Sequence, residues 1–171
     1  MPMIEVDPRV ANRGWHVRDL LPAELGSDAV RGLMHLACGY EGARLDAVIR
    51  EELPALTVTA VVPASGLSDS APGPTSDALP IALAAFRSDG SDGSPAVIEY
   101  LATAPRHQHE GLASATLRHA LADWRSRGRV GAVLTCKEHL LAWYGSFGFV
   151  SEGVSASDHG GATWYQMRLT F

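Results

Sequence analysis

The segment from residue 96 to residue 136 constrains the fold more than any other part of the chain. Its patterns predict a strand over Ala96 to Ala104, a helix over Leu112 to Arg127, and an apolar strand over Val130 to Cys136. Two strands joined through a helix normally lie parallel in one sheet, because the helix carries the chain back across it. We therefore expect a sheet with a parallel βαβ unit in the C-terminal half.

The rest of the chain adds further strands and two helical regions. Strands are predicted at residues 15–20, 57–62, 81–86, 149–154 and 163–171, with helices between residues 27 and 53 and over residues 140–147. The first helical region begins at Ser27 or Asp28, and Gly39 and Gly42 divide it into two short helices. Hairpins followed by alternating strands and helices predict a mixed sheet with flanking helices.

Two polar segments interrupt these patterns. Residues 63–80, rich in Pro, Ser, Gly and Asp, are predicted to form a mobile loop between two strands. The run Ser88 to Gly93 is predicted to form a tight turn. Since the part before the long loop has too few strands for a core of its own, we expect one domain over residues 1–171.

Composition narrows the functional classes. The chain has 171 residues, 46% of them hydrophobic, and a net charge of −5, which argues against nucleic acid as a partner. No segment approaches 18 apolar residues and the N-terminus lacks an apolar run, so neither a membrane partner nor a secretory signal is expected. Cys38 and Cys136 lie far apart in sequence, which favours free thiols in a reducing, cytoplasmic environment.

A histidine-rich stretch, PRHQHEGLASATLRHAL, occupies residues 105–121. By residue type, His107, His109, Glu110 and His119 suggest a metal site. However, the first two imidazoles are close neighbours in a turn, while His119 is expected on the exposed face of the following helix, and no Cys or Asp completes a set. We therefore expect no metal here and predict that these histidines are solvated.

The spacing of the same stretch favours a different site. It lies between a strand and a helix N-terminus, where the first N–H groups of the helix have no partner within it. Gly111 lets a ligand approach the backbone closely, and the small residues Ala113 and Ser114 leave room beside it. This geometry predicts a diphosphate site built from backbone amides.

Gln108, Gly111 and Ala113 match the Q/R-x-x-G-x-G/A signature of the GNAT superfamily of acetyl-CoA-dependent N-acetyltransferases. The C-terminal half is more similar to the arylalkylamine (serotonin) N-acetyltransferase branch. That similarity is carried by Leu101–Pro105, Cys136–Leu140 and Trp143–Phe149, in the sequences LATAP, CKEHL and WYGSFGF. It covers residues 96–171, whereas the first 95 residues match only in the order of their elements. The resemblance implies the GNAT fold, an α/β (α+β) architecture with a mixed, mostly antiparallel sheet around a central parallel βαβ unit.

The resemblance also implies acetyl-CoA as a co-substrate. Backbone groups of Leu101, Ala102 and Thr103 would pair with the pantetheine arm as an added strand does. The signature opens with Gln108, and the amides that would hold the pyrophosphate are those of His109, Glu110, Gly111, Leu112, Ala113 and Ser114. Bulk introduced at Gly111 should therefore matter more than changes to the neighbouring side chains.

Acetyl transfer to an amine needs a base, because alkylamines have pKa values of about 10 and arrive charged at neutral pH. Glu99 is the only acid in its predicted strand, and the resembling family often places a base at this point. The arylalkylamine branch has His-x-His where this chain has Val97 and Glu99. Glu99 is therefore a candidate base; the alternatives are a solvated or ion-paired strand residue, with His159 as the base.

Tyr144 aligns with the tyrosine that the family places beside the sulfur of the cofactor. A phenol there could donate a proton to the departing thiolate, whereas the alternative is an aromatic core residue. We predict direct acetyl transfer from acetyl-CoA to the primary amine of a small molecule, with an arylalkylamine as one candidate. Acetylation of a protein or peptide amine and a non-catalytic acyl-CoA-binding module remain the alternatives. The sequence leaves the oligomeric state open, a homodimer included.

Overall fold

The computed structural model describes residues 7–63, 80–87, 93–157 and 159–171. Residues 64–79 of the predicted loop and residues 88–92 of the predicted turn lie outside the described residues.

Within the described ranges, seven strands form one sheet. They are β1 (Trp15–Asp19), β2 (Thr57–Pro63), β3 (Ala82–Arg87), β4 (Ala96–Thr103), β5 (Gly131–Lys137), β6 (Val150–Val154) and β7 (Trp164–Thr170). Their order across the sheet is β1-β2-β3-β4-β5-β7-β6. Neighbouring strands are antiparallel except β4 and β5, which are parallel. The predicted mixed, mostly antiparallel sheet with a central parallel unit is confirmed.

The helices flank this sheet. They are α1 (Pro8–Ala11), α2 (Asp28–Cys38), α3 (Gly42–Ala47), α4 (Leu112–Ser126) and α5 (Leu141–Gly145), with a π-helical turn over Val48–Glu52. The Ser27 hydroxyl caps α2 by accepting a hydrogen bond from the amide of Val30, and left-handed Gly39 ends it. The predicted division into two short helices is therefore confirmed. Helix α1 was not predicted from the sequence, since one helical turn is too short to show a hydrophobic period.

A β-bulge interrupts β4 at Glu99. Ala85 of β3 pairs with Tyr100, but the next residue, Phe86, pairs with Ile98, so Glu99 is the extra residue. A bulge of this kind reverses the face to which the following side chains point. Accordingly, Ile98 packs in the core on the α4 side of the sheet, whereas Tyr100 packs against the core on the α2 side.

The parallel strands β4 and β5 separate soon after they begin. They pair only at Ala96 with Ala132 and at Val97 with Val133. Beyond that point β4 remains paired with β3 as far as Thr103, while β5 remains paired with β7 as far as Lys137. The C-terminal halves of the two strands therefore enclose an opening in the middle of the sheet.

Candidate active site

A cleft of about 510 Å³ occupies the opening between β4 and β5. Its walls come from both strands, from the C-terminal end of α2, from α5 and from the segment before β7. Glu99, Leu101 and Tyr144, all selected from the sequence, line this single cavity, and so does His159, the alternative base. The separation of the strands brings together side chains that lie on different elements.

Glu99 reaches the cleft from the bulge of β4. Its Oε1 atom lies 2.8 Å from Nη2 of Arg87 on β3, and about a third of its side chain is exposed. Glu99 is therefore ion-paired across two strands, and it also lines the cavity. Its role as the base stays a prediction.

Tyr144 lies in the wall formed by α5 and is only 6% exposed. Its ring packs edge-on against Trp143 at 4.7 Å and Phe149 at 5.8 Å between centroids. Burial raises the pKa of the phenol far above its ordinary value, and the nearby Cys136 thiol acts in the same direction. Its hydroxyl makes no hydrogen bond to the part of the chain that the structure describes. Tyr144 therefore brings a protonated, unpaired donor to the cleft.

Tyr100 also lines the cleft, although no pattern in the sequence pointed to it. Its hydroxyl donates a hydrogen bond of 2.9 Å to Oε2 of Glu52. Strict alternation along β4 would have placed it on the opposite face from Glu99. The bulge, which no sequence pattern indicated, is the reason that adjacent residues share the cavity.

An aromatic group that we call the aromatic bridge, consisting of Tyr40, His159 and Trp164, forms another part of the lining. The Tyr40 hydroxyl lies 3.4 Å from Nδ1 of His159, with the two rings 5.4 Å apart, and the Trp164 ring lies 6.1 Å from that imidazole. Tyr40 follows α2, whereas the other two residues precede or begin β7. Because 119 positions separate Tyr40 from His159, local sequence patterns could not reveal this contact.

The predicted diphosphate loop lies beyond the end of β4. His109 and Gly111 adopt left-handed backbone conformations, with φ of 64° and 80°, and Gly111 is the N-cap of α4. No side chain caps the first turn of this helix, so its amides are available to a ligand. The Gln108 side chain donates to the carbonyl of Thr103 at 3.4 Å, which ties the loop to β4.

The other residues selected around the loop differ in burial. Ala102 and Leu112 are buried in the core, so that only their backbone could meet a ligand. Glu110 lies within 2.8 Å of Arg13 and 3.1 Å of His107. The residues that are partly exposed are Leu101, Thr103, Ala113 and Ser114, whereas His109 is exposed.

The histidines of this stretch do not converge on a metal site. Within the described ranges, no three residues of the types His, Cys, Asp and Glu lie close enough together to hold a metal ion. His119 is half-buried, so the prediction that it is exposed was wrong, and burial lowers the pKa of its imidazole. Cys38 and Cys136 are free thiols, and both line the cleft.

Residues 75–149 match the model of the acetyltransferase (GNAT) family. This stretch, which is a little less than half of the chain, is similar in sequence to that family. The family match supports an acyltransferase activity. No curated protein matches this chain in sequence. The comparisons support the superfamily, while the arylalkylamine branch stays a prediction.

Solved structures of other acetyltransferases share the fold of this domain. The ribosomal-protein-S18-alanine N-acetyltransferase of Escherichia coli is 17% identical, with a TM-score of 0.67 over 91% of this chain and 93% of its own. Ard1 of Thermoplasma volcanium is 16% identical, with a TM-score of 0.66 over 92% and 97%. A GNAT acetyltransferase of Elizabethkingia anophelis with acetyl-CoA bound is 11% identical, with a TM-score of 0.63 over 92% and 99%.

In the part of the chain that the structure describes, no helix is both long and apolar enough to cross a membrane. The cytoplasmic location and the homodimer remain predictions from the sequence.

Proposed function

We propose that this acyltransferase acts as one domain and transfers the acetyl group of acetyl-CoA directly to the primary amine of a small arylalkylamine. The observation that carries the proposal is the cleft between β4 and β5, which holds a carboxylate, Glu99, and a buried phenol, Tyr144, in one cavity. Acetyl transfer to an amine needs one group that accepts a proton and another that donates one.

The open edge of β4 supports the placement of the acetyl donor. After Val97 no strand in the described residues pairs with the β5-facing edge of β4. The backbone of Leu101, Ala102 and Thr103 can therefore pair with an extended amide-containing arm such as pantetheine. The uncapped amides at the start of α4 follow directly and suit its diphosphate.

The chemistry then needs only these two side chains. Glu99 takes a proton from the alkylammonium, directly or through water, and the neutral nitrogen attacks the thioester carbonyl. The carbon–sulfur bond breaks as the carbon–nitrogen bond forms, and Tyr144 donates its proton to the departing thiolate. The acetylated nitrogen loses its second proton to solvent. Glu99 also releases its proton to solvent, and solvent reprotonates Tyr144. A covalent acetyl-enzyme is not required, so Cys136 has no role in this scheme.

The aromatic bridge supports an aromatic acceptor. Its rings offer flat apolar surfaces on which the ring of an arylalkylamine can pack. The contact between Tyr40 and His159 also joins two segments of the cleft lining, whereas a protein substrate would need an open groove. The guanidinium of Arg44 covers the outer part of this wall, 3.9 Å from the Tyr40 ring centroid.

A panel of amines with acetyl-CoA tests the proposal. We expect thiol release, with formation of the N-acetylated product, to depend on an added arylalkylamine and to be slow with polyamines and aminoglycosides. Acetylation of peptide N-termini or lysines, but of no arylalkylamine, would assign the cleft to protein substrates. Binding of acetyl-CoA without thiol release for any acceptor would identify a non-catalytic acyl-CoA-binding module.

Glu99→Gln should lower the rate at neutral pH by at least tenfold, and the loss should shrink as the pH approaches the amine pKa of about 10. The reason is that an amine that is already neutral needs no base. The pH dependence of kcat/KM for wild type and variant measures this convergence.

Glu152→Gln is the matched control for this prediction. Glu152 on β6 pairs with Arg168 on β7 across two antiparallel strands, as Glu99 pairs with Arg87, but it does not line the cleft. An unchanged pH profile for Glu99→Gln, or an equal loss in the control, would reject Glu99 as the base.

A further inference from the structure

Helix α1 packs against the start of α4, beside the proposed diphosphate loop. Val10 is fully buried in a small core with Val61 of β2 and with Leu112 and Ala115 of α4. This apolar contact fixes the position of the short helix, although one turn would not be stable alone. Polar side chains of α1 are therefore held at a defined place near Gly111.

Arg9 of α1 lies directly over Gly111. A Cβ atom placed on Gly111 would come within 2.9 Å of Cζ of Arg9 and even closer to its Nη1 atom. The guanidinium thus occupies the space that the missing side chain leaves open. This places Arg9 at the N-cap of α4, where the uncapped amides of the helix begin.

Asp7 orients that guanidinium. Its carboxylate accepts hydrogen bonds of 3.2 Å from both Nε and Nη2 of Arg9, and one of 3.1 Å from Nη1 of Arg118. Nη1 of Arg9 donates to no acceptor within the described residues. Partial burial opposes the charged form of Asp7, but the hydrogen bonds from Arg9 outweigh it and hold its pKa below the usual value. The Asp7 carboxylate therefore remains charged at neutral pH. It binds the Nε and Nη2 atoms of Arg9, so the Nη1 atom stays free.

The local charge balance is positive, although the whole chain carries a net charge of −5. Asp7 faces two guanidiniums, those of Arg9 and Arg118, so this cluster has an excess of one positive charge. The second acid nearby, Glu110, is matched by Arg13. A phosphate group that approached Gly111 would meet an uncompensated cation.

We propose that Arg9 is a further acyl-CoA-binding residue, which donates from Nη1 to the diphosphate bound at the start of α4. It comes from α1 and lies outside the family signature. The inference rests on the proposed function, because the diphosphate site belongs to it. A guanidinium suits this role, since it can donate hydrogen bonds to a carboxylate from one edge and to a phosphate from another.

Calorimetric titration of wild type and Arg9→Ala with CoA and with 3′-dephospho-CoA tests the proposal. We expect the variant to bind both ligands about tenfold more weakly, as for the loss of one partly exposed charge-assisted hydrogen bond. Its log Kd should also depend less steeply on log salt concentration, because one ionic contact is lost. A purely structural role for Arg9 would not change that slope.

Arg127→Ala is the matched control. Arg127 is also exposed and ion-paired, to Asp123 at 2.9 Å, and its removal changes the net charge equally. It lies just past the other end of α4, about 24 Å from Gly111 at 1.5 Å per residue, well beyond the Debye length of about 8 Å. We expect wild-type affinity for this variant.

Four results would contradict the inference about Arg9. They are equal affinity for Arg9→Ala and wild type, tighter binding by Arg9→Ala, an equal loss in Arg127→Ala, and a loss with CoA but not with 3′-dephospho-CoA. The last of these would assign the contact to the 3′-phosphate. Failure of the wild-type protein to bind CoA would instead contradict the proposed function.

Discussion

Replacing Tyr144 with Phe is expected to lower kcat by about a hundredfold while the affinity for acetyl-CoA stays at the wild-type value. The phenylalanine ring can fill the same space between Trp143 and Phe149, so only the hydroxyl is lost. Without that donor the thiolate must leave unprotonated or take its proton from water. Single-turnover rates measure the chemical step, and calorimetry measures the affinity.

The pH profile gives a second test of Tyr144. Burial raises the pKa of its phenol, so the protonated form persists to higher pH than for a solvated tyrosine, which titrates at about 10. Below about pH 10, the wild-type rate should therefore show no decrease caused by deprotonation of Tyr144. Since the donor acts in its protonated form, any loss must come on the alkaline side.

Tyr165→Phe is the control for Tyr144→Phe. Tyr165 belongs to β7 next to the aromatic bridge, yet it does not line the cleft. We expect it to keep the wild-type rate. A Tyr144→Phe variant as fast as wild type would leave Tyr144 with a packing role alone.

Replacing Gly111 with Ala is expected to weaken acetyl-CoA binding by ten- to a hundredfold. The new methyl group would displace the Arg9 guanidinium and would narrow the approach to the amides of α4. A left-handed φ of 80° at a non-glycine residue should also cost about 1 kcal/mol of folding free energy. Calorimetry and urea unfolding separate the two effects.

Gly128→Ala is the matched control for Gly111→Ala. Gly128 follows the other end of α4 with a similar φ of 77°, but a Cβ there would meet no atom within 4 Å. Both variants should therefore lose similar stability, while only Gly111→Ala should lose affinity. In the double variant with Arg9→Ala, the loss should be smaller than the sum of the two single losses, because both act on one contact. Additive losses would show that Gly111 acts independently of Arg9.

The patterns that predicted the sheet were local ones. The β-branched run at residues 57–62 and the apolar run at residues 130–136 each became a strand, and Ser27 and Gly39 set the bounds of α2. Alternation and capping depend on neighbours within a few residues, so the sequence carries them directly. Helix α1 was not predicted because its stability comes from the packing of Val10 against residues distant in sequence, rather than from a hydrophobic period of its own.

The sequence by itself determined the mixed sheet, the parallel unit at its centre, and the motif at Gln108, Gly111 and Ala113. It also selected Glu99 and Tyr144 by residue type and alignment. Only the tertiary structure placed these two in one cleft, because the separation of β4 from β5 depends on pairing with β3 and β7. Only the tertiary structure brought Tyr100 and the aromatic bridge to the cleft, and Arg9 to the diphosphate loop. The sequence could not show this, since a bulge and contacts across up to 119 positions leave no local pattern.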